Sequence, residues 1–175
     1  MFYGRIDNSD DLTFDLGLKK FSELSDAMLL HRYLLRFGEA QLAKIIGLFS
    51  FAYYQLESAT LIAAGDGMGG LNLVYHLNQT QLIVASHEMA LVGHSNVDYK
   101  FNRVRIGRMI AQITLDKVTG IIRDVDVVEP GKIFVFNDAQ IKHRVFYRCD
   151  GAKRMELSND QAYAKEFRRL LNQAV

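Results

Sequence analysis

The sequence predicts an α+β domain built on a mostly antiparallel sheet. Four short apolar segments, 49–55, 60–65, 71–77 and 81–86, are rich in aromatic and branched residues and too short for free-standing helices. The joints between them are turn chemistry: 57–59, the glycine-rich 65–70, and the Asn-rich 78–80. Strands joined so tightly pair antiparallel, so the four read as the middle of one all-antiparallel layer. Helical periodicity lies in the flanking segments, whose helices are expected to cover that layer.

In chain order, 2–6 reads as a strand from its first residue, which suggests that something upstream is missing or supplied separately. Asp7-Asn8-Ser9-Asp10 offers turn and cap residues for a short helix over 11–18, ended near Gly17. After a polar break at 22–25, Ala27, Leu30, Leu34 and Phe37 recur at helical spacing, widened by Met28, Leu29 and Tyr33. Ser25 or Asp26 caps this helix and Gly38 ends it. A second short helix, 39–46, puts Leu42, Ile45 and Ile46 on one face and stops at Gly47.

Downstream, a short helix over 87–92 ends at Gly93, and 96–100 is a polar connection. A helix over 102–112 carries Val104, Ile106, Met109 and Ile110 as its apolar residues. Strands follow at 121–128 and 132–136, around the turn Glu129-Pro130-Gly131. Segment 141–147 pairs back across 137–140. Residues 149–157 are polar and linker-like, and 158–174 is an amphipathic helix capped by Ser158 or Asn159, with Tyr163, Phe167, Leu170 and Leu171 on its apolar side.

The 175 residues suit one domain with a sizeable core, and a net charge of +1 argues against a nucleic-acid-binding surface. A single cysteine, Cys149, excludes a disulfide framework and a cysteine-based zinc site. An intracellular, cytoplasmic location is the expectation. No apolar run reaches the roughly 18–20 residues of a membrane span, and the first residues lack the pattern of a signal peptide.

Candidate chemistry is sparse. Gly65, Gly67 and Gly70 spell G-x-G-x-x-G, but a dinucleotide fold needs that turn to open a helix, and here an alternating strand pattern follows. The five histidines do not cluster, and no metal-ligand spacing occurs. Ser86-His87-Glu88 reads as a helix start with Ser86 as cap, since neighbours on a helix do not face one another. Asp66 is expected to bond backbone amides at its bend, and Cys149 to be a surface thiol without an activating neighbour.

The order of residues says more. Ser25-Asp26-Ala27-Met28-Leu29-Leu30, then Phe37-Gly38-Glu39, then Gly47-Leu48-Phe49-Ser50-Phe51-Ala52 resembles the S-D-x-E-x-L-L, G-E and G-x-F-A-F-A runs of the class II glutamine amidotransferase domain in the asparagine synthetase family. Ala64-Gly65-Asp66-Gly67-Met68-Gly69 is similar to its A-R-D-x-x-G and Leu73-Val74-Tyr75 to its P-L-Y-Y. The run from Val84 to Leu91 resembles F-A-S-E-x-K-A-L with one insertion, and Glu129-Pro130-Gly131 its L-P-P-G turn. The segment from Tyr163 to Val175 resembles the helix that opens the synthetase domain.

This resemblance implies an N-terminal-nucleophile hydrolase fold, a sandwich of antiparallel sheets between helical layers, here incomplete at the N-terminus. It implies a partial amidotransferase domain over 1–148, a linker over 149–157, and over 158–175 the first helix of a truncated ATP-binding domain. Asp26 matches the acidic residue that holds the α-amino group of glutamine, although a cap role is the alternative. Gly4 matches the position whose amide helps form the oxyanion hole. No catalytic residue is carried over: active members attack with an N-terminal cysteine, and Cys149 lies at the other end of the chain.

The family's amidotransferases carry asparagine where Tyr3 stands, and Gly65 and Asn72 replace an arginine and a proline. Gly4-Arg5-Ile6-Asp7-Asn8 is closer to relatives whose glutaminase half is degenerate, the β-lactam synthetases and lasso-peptide cyclases. The S-G-G-x-D-S loop for ATP is absent, so ATP and Mg²⁺ are expected in a synthetase domain or chain, the expected partner, rather than here. A second copy of this chain is a further candidate partner. The parent reaction implied is ATP-dependent amide bond formation, with a scaffold domain or a non-catalytic docking module as alternatives.

Overall fold

The computed structural model describes residues 1–18, 24–79, 81–113, 119–149, 151 and 154–174. Side-chain alternation along the strands sets its layering. One five-stranded antiparallel sheet has the order β1 (Phe2–Ile6), β2 (Gly47–Gln55), β3 (Thr60–Gly65), β7 (Lys132–Asn137), β8 (Gln140–Val145). Its residues Phe49, Phe51, Ile62, Ala64 and Ile133 point to one side. There α1 (Ser9–Asp15), α2 (Asp26–Phe37) and the 3₁₀ helix Glu39–Lys44 bring Leu12, Leu29, Leu30, Tyr33 and Leu42 against them.

Ala63 and Phe134 take the opposite side of the same sheet and pack on Leu73, Tyr75 and Val128. These last belong to or flank a second antiparallel sheet, ordered β5 (Leu82–Ala85), β4 (Val74–Leu77), β6 (Asp126–Val127). Val74 turns outward from that sheet with Ile83 and Val127, meeting Leu91 of α3 (Glu88–Val92) and the loop residues Val97, Ile122 and Val125. Helices, sheet, sheet and helix thus stack as the expected sandwich.

Several boundaries follow the sequence closely. β1 and β3 occupy the segments expected of them, and α2 runs from its Ser25 cap, whose Oγ accepts the Met28 N–H at 3.4 Å, to Gly38. The β7–β8 hairpin closes through Asp138 and Ala139, both with positive φ (49° and 58°), as a two-residue primed turn requires. Asn159 caps α5 (Asp160–Ala174) by accepting the Ala162 N–H at 2.9 Å.

Other expectations are corrected. The four central strands do not share a layer: β2 and β3 lie in one sheet, β4 and β5 in the other. The Gly65–Gly70 bend carries the chain between sheets, and 71–73 stay outside β4. α1 begins at Ser9, two residues early. Ile46 is 62% exposed, because the 3₁₀ helix ends at Lys44 and the backbone at Ile45 is already extended. His87, not Ser86, occupies the cap position of α3, without a side-chain cap bond.

Segment 121–128 is no continuous strand. Asp124 adopts a φ of 61°, and only Asp126–Val127 pair with β4. α4 (Arg103–Ile110) is capped by Asn102, but it ends short of Gln112, and Val104, Met109 and Ile110 are exposed. The expected break at 22–25, the turn residue Thr80, part of the 149–157 linker and Val175 fall wholly or partly outside the described residues. Among the described residues no helix is long and apolar enough to cross a membrane.

Candidate functional site

The free edge of β1 is where the sequence's two binding candidates meet. Ala52 donates its N–H to the Met1 carbonyl at 3.0 Å, and Asp7 donates to the Ile46 carbonyl at 2.8 Å. With the register Tyr3↔Ser50 and Arg5↔Leu48, the odd residues of β1 therefore exchange hydrogen bonds with β2. The even residues Phe2, Gly4 and Ile6 turn their backbone N–H groups to the open edge.

Asp26 uses that edge. Its Oδ2 accepts the Ile6 N–H at 2.9 Å, so the carboxylate at the first position of α2 is tied to β1. The helix N-terminus is electrostatically suited to an anion, which keeps a negative charge there favourable. Ser25, not Asp26, caps the helix, so the cap role is overturned. Two residues back along β1, about 7 Å by strand geometry, the Gly4 N–H faces the same open edge. The structure thus places the Asp26 carboxylate and an outward backbone donor side by side.

Gly4 is required there by sterics. Its φ is +121°, and a Cβ would stand 2.0 Å from the Leu48 carbonyl oxygen and 2.7 Å from the Phe49 Cα. Only glycine lets β1 lie this close to β2 in that conformation. The same Cβ would meet Leu71 Cδ1 at 2.8 Å, which places the chain leaving the glycine-rich bend against the site.

That bend is held by Asp66, which is buried. Its Oδ1 accepts N–H bonds from Met68 at 2.9 Å, Gly69 at 2.8 Å and Gly70 at 3.2 Å, and its Oδ2 accepts from Gly70 at 3.0 Å. The expected amide-binding role is what the structure shows. The next regular element is the strand β4, so the G-x-G-x-x-G turn opens no helix for a pyrophosphate.

The remaining candidates stay apart. Ser86 Oγ lies 3.1 Å from His87 Nδ1 on the surface, while Glu88 Oε2 is occupied by the Ile122 N–H at 2.8 Å. Among the described residues no three His, Cys, Asp or Glu side chains converge as metal ligands would. Cys149 is exposed, in the segment that follows β8. Sequence reasoning missed Ser50, opposite Tyr3 and fully buried, whose hydroxyl has no partner among the described residues. An isolated serine in an apolar strand was its only signal.

Comparison with known proteins bears on this arrangement. The profile of the family described as glutamine amidotransferase domain matches residues 1–147. A search of curated proteins gave no match. Among solved structures, glutamine phosphoribosylpyrophosphate amidotransferase from B. subtilis, complexed with ADP and GMP, is similar with a TM-score of 0.56 and 19% identity, covering 84% of this chain and 28% of that one. A structure described as the allosteric regulatory enzyme of purine biosynthesis gives a TM-score of 0.54 and 19% identity, covering 83% and 28%. At such identity the likeness is one of fold, that of N-terminal-nucleophile hydrolase amidotransferase domains. The chain spans just over a quarter of the length of either.

Proposed function

The chain belongs to the glutamine amidotransferase domain family, and we propose that it is the amidotransferase-like part of an asparagine synthase-type enzyme whose overall reaction is ATP-dependent amide bond formation. In this reading Asp26 holds the α-ammonium group of glutamine. The Gly4 N–H faces the side-chain amide oxygen, where negative charge develops as a nucleophile adds. The observation that carries the reading is the Asp26 carboxylate fixed on the open edge of β1 beside that outward N–H.

The attacking thiol is not Cys149. In the family that the sequence resembles, the attacking cysteine stands at the N-terminus with its own α-amino group as base, and Cys149 lies near the other end of the chain. The nucleophile is accordingly assigned outside these 175 residues. ATP and Mg²⁺ are assigned to a synthetase domain or chain, with 149–157 as linker and α5 as the opening of that domain. The exposed Tyr163, Phe167, Leu170 and Leu171 give α5 an apolar side for such a partner to cover, which favours this over a free-standing module.

A second reading rests on Tyr3. Half-exposed at 52%, it stands where a side-chain amide donor is expected, and loss of one such donor costs about 10²–10³ in rate. That favours a scaffold domain of the β-lactam synthetase or lasso-peptide cyclase kind. Thermal unfolding with and without L-glutamine tests the choice. A ligand bound only by the folded chain raises the melting temperature, and the first reading expects this for the parent chain but not for Asp26→Asn. No rise in either chain sinks the first reading and leaves the scaffold.

A further inference from the structure

Two exposed helix faces of this chain carry opposite charge and matching relief. In α1 the buried residue is Leu12. The face turned away from it carries Phe14, 83% exposed, with the exposed Asp10 and Asp11 one turn before it. Neither carboxylate makes an ion pair among the described residues. Segment 7–18 holds four aspartates and no lysine or arginine. A lone exposed apolar residue is ordinary, but here a second face fits it.

That second face is on α4, which has no buried residue. Arg103, Val104 and Ile110 are exposed and stand three or four residues from Gly107, so they ring a dent where glycine has no side chain. No described residue comes within 4 Å of where a Gly107 Cβ would stand, and its φ is not positive. Glycine inside a helix is less stable than alanine, and neither conformation nor a close neighbour requires it here. Segment 99–113 holds four lysines or arginines and no acidic residue. Arg103 makes no ion pair among the described residues.

The two faces belong to opposite layers and cannot meet within one chain. Leu12 packs α1 on the helix side of the five-stranded sheet, while the pairing Phe101↔Ile122 sets the start of α4 on the α3 side of the other sheet. We propose that α1 of one copy of this chain docks on α4 of a second copy. Phe14 seats over Gly107 between Val104 and Ile110, and the Asp10 and Asp11 carboxylates face Arg103. Opposite charge around an apolar centre supplies attraction and register. Arg103 and Val104 share one exposed face, unlike the segregated faces of a lipid-binding helix. The contact is heterologous and leaves each copy a patch for a further neighbour, so association continues past two. Helices of seven and eight residues are about 10–12 Å long, so the contact is small and its Kd is expected at roughly 0.1–1 mM. It is independent of the function proposed for the Asp26 site.

Sedimentation equilibrium of the chain at up to about 1 mM tests this, in salt of about 0.1 M and about 1 M. The expected result is species larger than a dimer at low salt, with association weakened at least about tenfold at high salt. Phe14→Gln and Gly107→Gln replace exposed residues with a good helix former, and each is expected to weaken association at least about tenfold. Mixing the two variants restores association but stops it at a dimer, since the first keeps an intact α4 face and the second an intact α1 face. A chain that stays monomeric throughout overturns the proposal. So does association as strong at high salt, or a mixture that associates no better than its parts. Association that either variant leaves unchanged also overturns it and places the contact elsewhere, as on α5.

Discussion

Ile6 donates its backbone N–H to Asp26 Oδ2 at 2.9 Å, joining the open edge of β1 to the first turn of α2. The bond gives Asp26 a structural task besides any ligand it holds. Asp26→Ala is expected to destabilise the fold by about 1–2 kcal/mol, since a charge-assisted bond is lost and a part-buried donor orphaned. Asp26→Asn keeps an acceptor and is expected to lose less than half of that. Urea unfolding of both variants checks this, and equal losses would show that the charge rather than the bond matters.

Gly4 tolerates no side chain. Gly4→Ala sets a Cβ against the Leu48 carbonyl at a φ of +121°, so a loss of at least about 2 kcal/mol is expected. Arg5→Ala, at an exposed residue whose partner is the surface carboxylate of Asp7, is expected to stay within about 0.5 kcal/mol. Comparable losses in the two variants would refute the steric argument.

Asp66 organises the passage between the sheets. Asp66→Ala leaves the N–H groups of Met68 and Gly70 without their acceptor, while Gly69 keeps the backbone carbonyl of residue 66 at 3.3 Å, with an expected cost of about 2 kcal/mol. Hydrogen exchange at these amides is expected to accelerate before the rest of the fold does. Unchanged protection there would mean that the bend holds itself.

Tyr75 sets a limit at alkaline pH. Burial, reinforced by the Asp126 and Glu129 carboxylates, pushes its phenol up to about 12 from an ordinary 10.0. Below pH 10 both folded and unfolded states keep the proton, and the contribution is complete. Between pH 10 and about 12 the unfolded chain releases the proton first, so stability falls as pH rises. Tyr75→Phe is expected to flatten that fall, measured as unfolding free energy against pH. An unaltered slope would place the loss elsewhere.

What the sequence made legible was local. Ser25 and Gly38 bound α2 because cap and stop chemistry act within a few residues, and the turn at Asp138 and Ala139 fixed its hairpin for the same reason. The split of β2–β3 from β4–β5 was not legible. Each strand carries its own apolar alternation, but nothing in 71–77 states which neighbour it will pair with. Asp26 was readable as a cap or a ligand-holding residue. Its bond to Ile6 was not, because it spans 20 residues of sequence. The ion pair of Glu39 with Arg144 joins residues 105 apart, beyond any spacing rule.

The proposed binding of glutamine at the open edge of β1 can be observed residue by residue. The most direct measurement follows backbone amides by NMR while L-glutamine is added to the isotope-labelled chain. The account predicts shifts at Gly4, Ile6 and the first turn of α2 that disappear in Asp26→Asn. Glutamine that leaves these amides unmoved, or moves them equally in Asp26→Asn, would contradict it.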